Sequence, residues 1–122
     1  RLESLTKQYG VKIIISRETR EIIGKEFDCR LLDKVKVKGK KIPIEIYELL
    51  WKTEEKTFVN HYEHALSLYF DKKFSQAEKE FKKCLGIKPE DKSCILFLER
   101  CKEYLKHSPP KDWDGSFEMK TK

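Results

Sequence analysis

The chain has 122 residues with a formal net charge of +6, and apolar and charged residues each make up 39% of it. This composition is typical of globular proteins and argues against an intrinsically disordered chain. The length allows one or two small domains, and no apolar run approaches the roughly 20 residues that cross a bilayer, so we expect no membrane-spanning segment.

The first part of the sequence changes its hydrophobic period several times. Residues 2–9 show helical spacing, and Gly10 follows as a residue that can end a helix in a left-handed conformation. The branched apolar run at 11–16 predicts a short buried strand. Ser16 is placed to cap a short helix over Arg17–Ile23. The chain opens inside a helical pattern, which indicates a piece of a longer protein.

A β-hairpin is predicted next, because the apolar residues alternate with polar ones on both sides of Gly39. The first strand is expected to bulge or bend near Asp33. The dry face of the hairpin is expected to carry Val35 and Val37 from the first strand and Ile42, Ile44 and Ile46 from the second. Pro43 cannot donate to a ladder, so it belongs at an edge or a bulge.

Lysines occupy much of residues 33–41, and they raise the question of a nucleic-acid interface. The run contains no arginine, and the nearest aromatic residue that could stack on a base is Tyr47, at the far end of the hairpin. Lysines on a sheet edge also discourage aggregation between sheets. We therefore interpret the run as a solvated edge, with no nucleic-acid contact and no membrane contact by this segment.

From residue 58 onward the pattern is wholly helical, after a polar linker at 51–57. Helices are predicted over 59–70, 75–85 and 92–106, with Ser75 as the N-cap of the second. The first two fit a tetratricopeptide-type repeat, whose period is about 34 residues. The residues at its characteristic positions are Ala65, Leu68, Phe74, Ala77, Phe81, Cys84, Leu85 and Pro89.

The same residues predict how the helices pack. Ala65 and Ala77 let two helices approach closely, Phe74 and Phe81 fill the space between them, and Pro89 turns the chain. One and a half repeats offer a surface for a protein partner. In the polar tail at 107–122, Trp113 is expected to anchor the DWDG segment on the helices or on a partner.

Residues that could carry chemistry are few. His61 and His64 share a helix face, but no carboxylate or cysteine completes a metal site, and Asp112 and Asp114 are better explained as turn formers. The cysteines at 29, 84, 94 and 101 have no zinc-binding spacing, and we expect reduced thiols filling core positions in a cytoplasmic protein. The residues alone indicate no enzyme and no cofactor.

The segments RLESLTKQYG, IIIS followed two residues later by Thr19, and VKVKGKKIPIEIYEL resemble a known family. Over residues 1–50 the chain is similar to the C-terminal third of a class III adenylate/guanylate cyclase catalytic domain. The second half resembles the helical extension of some bacterial cyclases, which ends in a motif like PPKDWDG.

The resemblance implies a fold and an activity for the longer protein. The fold would be α+β: the C-terminal portion of a ferredoxin-like α/β sandwich at 1–50, then a tetratricopeptide-like module at 58–106. The parent would convert ATP or GTP to a cyclic nucleotide using Mg²⁺ or Mn²⁺, as a homodimer that can be membrane-tethered upstream. Arg1 falls where the family has its transition-state arginine, and the metal-binding aspartates would precede residue 1.

Two hypotheses follow for this segment. In the first, it completes the cyclase sheet and offers an interaction surface, without catalysing the reaction by itself. In that case apolar residues at 13–15 and 42–46 should be exposed and invite dimerisation. In the second, the helices form a non-catalytic adaptor that binds a protein partner.

Overall fold

The computed structural model describes residues 3–119. Its fold is mixed α+β, as the sequence predicts. The elements in chain order are α1 Glu3–Tyr9, β1 Ile14–Ser16, α2 Arg17–Ile23, β2 Asp28–Lys36, β3 Ile44–Trp51, α3 Lys56–Phe70, α4 Phe74–Ile87, α5 Lys92–Lys106 and β4 Phe117–Glu118. Within the described range, no helix is both long and apolar enough to cross a bilayer.

The chain folds as two compact units, and the second is inserted in the first. The sheet unit runs to Glu54 and resumes at Ser116, and the helical unit is Glu55–Gly115. The helical unit therefore begins inside the predicted linker at 51–57. The predicted tail at 107–122 is divided between the units, and it contributes the short strand β4, which its sequence does not indicate.

The sheet unit is built around the predicted hairpin. The strand order is β1-β3-β2-β4, with β3 antiparallel to both β1 and β2 and with β4 parallel to β2. The bend predicted near Asp33 is present as a register shift between Leu31 and Asp33. At this irregularity the adjacent Leu32 and Asp33 are both fully buried.

The dry face of the hairpin is shorter than predicted. Val35 and Ile46 are fully buried, but Ile44 is 37% exposed and Ile42 is 77% exposed. The Lys40 amide donates to the Val37 carbonyl at 2.9 Å, so the chain turns there instead of extending the ladder. Val37 and Ile42 consequently lie in the connection between β2 and β3, and the expectation that they line the core is wrong.

The strand predicted at 11–16 is also shorter. The strand covers Ile14–Ser16, which are half-buried, and Ile13 before it is 37% exposed although its carbonyl accepts from the Leu49 amide of β3 at 3.1 Å. The position of β1 at the edge of the four described strands accounts for this exposure, since one side of the strand has no covering neighbour. The helix that follows agrees with its prediction: Ser16 accepts a hydrogen bond from the Thr19 amide, and the chain leaves the helix at Gly24.

The helical unit has an aromatic core. α3 packs on α4 and α4 on α5, with Phe81 stacked on Phe97 at 5.2 Å between ring centroids and Tyr62 edge-on to both. The predicted N-cap Ser75 is wrong, because α4 starts at Phe74 without any side-chain cap. α5 has its cap instead, since the Asp91 carboxylate accepts from the Cys94 amide at 3.0 Å.

Candidate functional site

The single catalytic candidate, Arg1, lies outside the described residues. Its role as a transition-state arginine therefore stays a prediction. The other candidates belong to the helical unit, and the structure divides them between its core and its surface.

Four of the predicted interaction residues are core residues. Ala65, Ala77 and Phe81 are fully buried, and Phe74 is 6% exposed. Leu68 is half-buried, and Pro89 is exposed just beyond the end of α4. Small residues on α3 and α4 permit the close approach of these helices. The buried positions cannot touch a partner directly, so any binding surface of this unit must be formed by other residues.

Trp113 packs against an aromatic cluster inside the helical unit. Its ring centroid lies 5.3 Å from Tyr104, 5.5 Å from Tyr69 and 5.7 Å from Phe74. The indole Nε1 is buried and has no hydrogen-bond partner among the described residues. The indole therefore contributes to holding the segment after α5 on the helices by ring packing. The sequence indicates Trp113 as an anchor, but it does not indicate that Tyr69 and Tyr104 receive it.

His61 and the buried cysteines make the contacts of structural residues rather than those of a metal site or a nucleophile. His61 Nδ1 lies 3.8 Å from Glu80 Oε1, across α3 and α4. Within residues 3–119, no group of three or more histidine, cysteine or acidic side chains comes together as a metal site would require. Hydrogen bonding to Cys84 and burial both raise the pKa of the Cys94 thiol, and burial raises that of Cys101 to about 12. Such thiols stay protonated and are poor nucleophiles.

Two buried polar pairs in the sheet unit escape sequence analysis. The Tyr9 hydroxyl donates to Asp33 Oδ2 at 2.5 Å, and the Lys34 amide donates to Oδ1 of the same carboxylate at 2.7 Å. Arg30, only 2% exposed, donates from Nε to Glu48 Oε1 at 2.8 Å. Arg30 and Glu48 are direct cross-strand neighbours, so correct pairing of β2 with β3 brings them together. For Arg30 and Glu48, a charged residue between apolar ones in each strand is the only local signal of the pair.

A third polar group lies on β3 beside α2. The Tyr47 hydroxyl donates to Glu45 at 2.8 Å, and the Arg20 guanidinium lies 5.1 Å from the centroid of the Tyr47 ring. Burial, together with the hydrogen bond to the Glu45 carboxylate, raises the pKa of Tyr47 to about 12. This tyrosine is a hydrogen-bond donor at neutral pH, and it cannot serve as a base there.

Comparison with known proteins relates the chain to cyclases. It is 34% identical over 115 residues to the terminal-differentiation-specific adenylate cyclase of Dictyostelium discoideum, and this match covers 87% of the chain. It is 48% identical over 52 residues to an adenylate cyclase of Anabaena cylindrica, a match that covers 40% of the chain. The chain spans 5% of the length of the first relative and 10% of the second.

No family model and no solved structure matches the chain. The Dictyostelium match is nevertheless informative about both units. A match over 87% of the chain is longer than either unit, so it must include residues of the sheet and of the helices. The chain thus contains an adenylate-cyclase-related region.

Proposed function

We propose that the chain is part of a nucleotide cyclase, in which the sheet unit completes a class III catalytic domain and the helical unit is a tetratricopeptide-like module. The longer protein makes a cyclic nucleotide for signalling. The names of the two relatives favour ATP over GTP as its substrate. The segment contributes structure and an interaction surface rather than the reacting groups.

The observation that carries this proposal is the length of the Dictyostelium match. Identity of 34% over 115 residues links the sheet and the helices in one order within a protein named as an adenylate cyclase. A helical adaptor that had acquired an unrelated hairpin would have no reason to match over both units.

The geometry supports a structural role for the sheet unit. Asp33 and Arg30, which are charged and buried, are both occupied by partners within the sheet unit, Tyr9 and Glu48. Groups held in this way are positioned to specify strand register and are not available to a substrate. In this proposal Mg²⁺ or Mn²⁺ belongs to the longer protein, and no metal-dependent step is assigned to the residues of this segment.

The test is cyclic nucleotide formation from ATP and from GTP with Mn²⁺, comparing this chain with a version extended upstream. We expect the short chain to be silent and the extended protein to be active with ATP. A matched control carries Arg1→Ala in the extended protein. A transition-state arginine should be worth at least about 100-fold in rate, whereas a surface arginine should change the rate little. Silence of the extended protein with both nucleotides would contradict the proposal.

A second candidate function is that of a non-catalytic adaptor, and the outer face of α5 favours it. Ile95 and Leu105 are 42% and 49% exposed, and half-buried Leu98 lies between them on that face. Helix spacing places the three side chains within one broad stripe. Serine substitutions at Ile95 and Leu105 should abolish capture of a protein partner if this face binds one, and they should leave cyclase activity of the extended protein unchanged.

A further inference from the structure

The chain between α5 and Trp113 is exposed and extended. α5 ends at Lys106, and the backbone at His107 is already extended, with a φ of −134° and a ψ of 100°. Ser108 comes next, and the proline after it disfavours the helical conformation for the serine. Ser108 is exposed and has no regular secondary structure. Its hydroxyl therefore belongs to a surface segment that another protein can reach without opening the core.

The residues after Ser108 form a distinct chemical pattern. Pro109 and Pro110 have no amide hydrogen, and their rings fix φ at about −65°. The Trp113 amide donates to the Pro110 carbonyl at 3.0 Å, so the chain turns only after the two prolines. Lys111 is exposed at the third position after the serine. The surface thus presents a hydroxyl, a residue without an amide hydrogen and a cation in a fixed order.

We propose that Ser108 is a phosphorylation site for a proline-directed protein kinase. Such a kinase transfers the γ-phosphoryl group of ATP to Ser108 Oγ. A new P–O bond forms, the bond to the departing ADP breaks, and a carboxylate of the kinase accepts the hydroxyl proton. The inference concerns this segment alone and stands independently of the proposed cyclase function.

The conformation and the residue order both suit this class of kinase. Protein kinases bind the acceptor segment in an extended conformation, and Ser108 follows an extended residue. A kinase pocket without a hydrogen-bond acceptor at the position after the serine selects proline, because any other residue would bury an unpaired amide there. Lys111 offers an ammonium group to an acidic side chain of the kinase.

Other hydroxyl groups of the chain fit less well. Ser108 is the only serine or threonine in the 122 residues that precedes a proline. Ser75 is exposed too, and the basic residues Lys72 and Lys73 before it are a context that basophilic kinases select. Ser75 lies in the first turn of α4, however, where the backbone is helical. A kinase would have to unwind the start of α4 to bind Ser75 in an extended conformation.

The phosphate would change the charge of a basic stretch of surface. Lys106 and Lys111, on either side of Ser108, are both exposed, and with His107 neutral they give residues 106–111 a positive charge. Phosphoserine carries a charge of about −1.5 to −2 at pH 7 and accepts strong hydrogen bonds from ammonium groups. The modification therefore makes the surface beside the end of α5 nearly neutral.

The experiment is incubation of the full 122-residue chain with a purified cyclin-dependent kinase, ATP and Mg²⁺, followed by mass spectrometry of the chain and its peptides. We expect a single phosphate, located on Ser108. Ser108→Ala should abolish incorporation, and Ser108→Thr should retain it. Pro109→Ala keeps the hydroxyl but should lower the rate by about tenfold to 100-fold, because it introduces the unpaired amide. Lys111→Ala should lower the rate about tenfold.

A synthetic peptide of residues 104–115 tests the contribution of the fold. Because the segment is exposed and extended in the folded chain, we expect the chain to be phosphorylated within about tenfold of the peptide's rate. A serine that required global unfolding would react more slowly by about 1,000-fold or more. Ser75→Ala is the matched control, since it deletes another exposed serine of the helical unit and should leave incorporation unchanged.

Each contrary result overturns the proposal. Phosphorylation of the peptide without phosphorylation of the chain would show that the fold hides Ser108. Absence of phosphate from both would show that the segment is not a substrate of this class of kinase. Retained incorporation in Ser108→Ala would assign the phosphate to another hydroxyl. An unchanged rate in Pro109→Ala would show that the proline is not recognised.

Discussion

At the scale of single residues, the sheet unit buries charged side chains, and each of them needs partners inside the unit. A buried carboxylate is costly unless several donors surround it, and Asp33 has the hydroxyl of Tyr9 and the amide of Lys34. The bend at Asp33 could be predicted from the sequence, because the apolar residues Leu31 and Leu32 follow each other and break the alternation of a strand. Its partner could not, because Tyr9 is 24 positions away and only the folded sheet brings them together.

The stability of the sheet unit is expected to depend on pH in the alkaline range because of Tyr47. Its pKa is raised from 10.0 to about 12 by burial and by the Glu45 carboxylate. Between these values the unfolded chain loses the phenolic proton while the folded chain retains it. The contribution of Tyr47 to stability is thus complete below pH 10 and is lost as the pH rises towards 12.

We expect Tyr47→Phe to flatten this alkaline decline, which urea unfolding at a series of pH values would measure. The matched variant Tyr104→Phe, in the helical unit, should leave the alkaline decline of the sheet unit as it is in the parent chain. Parallel declines in the parent chain and in Tyr47→Phe would contradict the assignment.

At the scale of elements, the features that depend on neighbouring residues in the chain, such as helix bounds and caps, are the ones predicted correctly. α5 has the bounds that the sequence indicates, and α2 has its predicted serine cap. The errors lie where non-local pairing decides, as in β1, whose length is set by its register against β3. β4 lacks any sequence signal because it is only two residues long and its pairing partner is β2, far away in the chain.

The same reasoning applies to the interaction residues of the helices. The repeat pattern identified positions such as Ala77 and Phe81 that are buried. The apolar residues of α5 are also visible in the sequence, but their spacing does not show that Ile95 and Leu105 stay exposed. The prediction that Ile42 lines the core is wrong for a related reason. The alternation of apolar and polar residues continues through Ile42, whereas the strand β3 begins only at Ile44.

Trp113 tests whether ring packing holds the segment after α5. Truncating a buried tryptophan to alanine costs about 3–5 kcal/mol, and because Trp113 is half-buried we expect a loss of about 2–3 kcal/mol in unfolding free energy. Trp51→Ala serves as the control. It removes a residue that is 54% exposed with one ring contact, to Phe27, and should cost less than about 1 kcal/mol.

Urea unfolding of both tryptophan variants gives the comparison. Equal losses would mean that the contacts of Trp113 with Tyr69, Phe74 and Tyr104 contribute no more than a surface contact. Loss of helical signal before the main transition in Trp113→Ala alone would show that the segment supports α5.

At the scale of the whole molecule, the helical unit is an insertion between β3 and β4 of the sheet unit. β4 is joined to β2 by the pairs Val35 with Phe117 and Lys36 with Glu118, and the Met119 amide donates to the Lys36 carbonyl at 2.7 Å. Through these contacts the chain after Gly115 joins the sheet. They cover the edge of β2, which would otherwise offer unpaired groups to another strand.

Met119→Pro removes the donor of that last hydrogen bond while the side chain at this position stays apolar. We expect faster hydrogen exchange at the end of β2, and unchanged exchange in α3–α5, whose aromatic core is made by residues before 114. Met119→Leu keeps the amide and should exchange like the parent chain. Uniformly faster exchange across both units would show instead that β4 supports the entire fold.

The insertion also affects the order in which the molecule can assemble. The ends of the β2–β4 pair are separated by about 80 residues, and closing so long a loop carries a large entropic penalty. α3–α5 are built from contacts between neighbours in the chain, and such structures form quickly. Once they fold, they shorten the free chain that has to be closed. During synthesis, the far edge of the sheet therefore stays open until the helices have been made, and the helices themselves bring its last strand within reach.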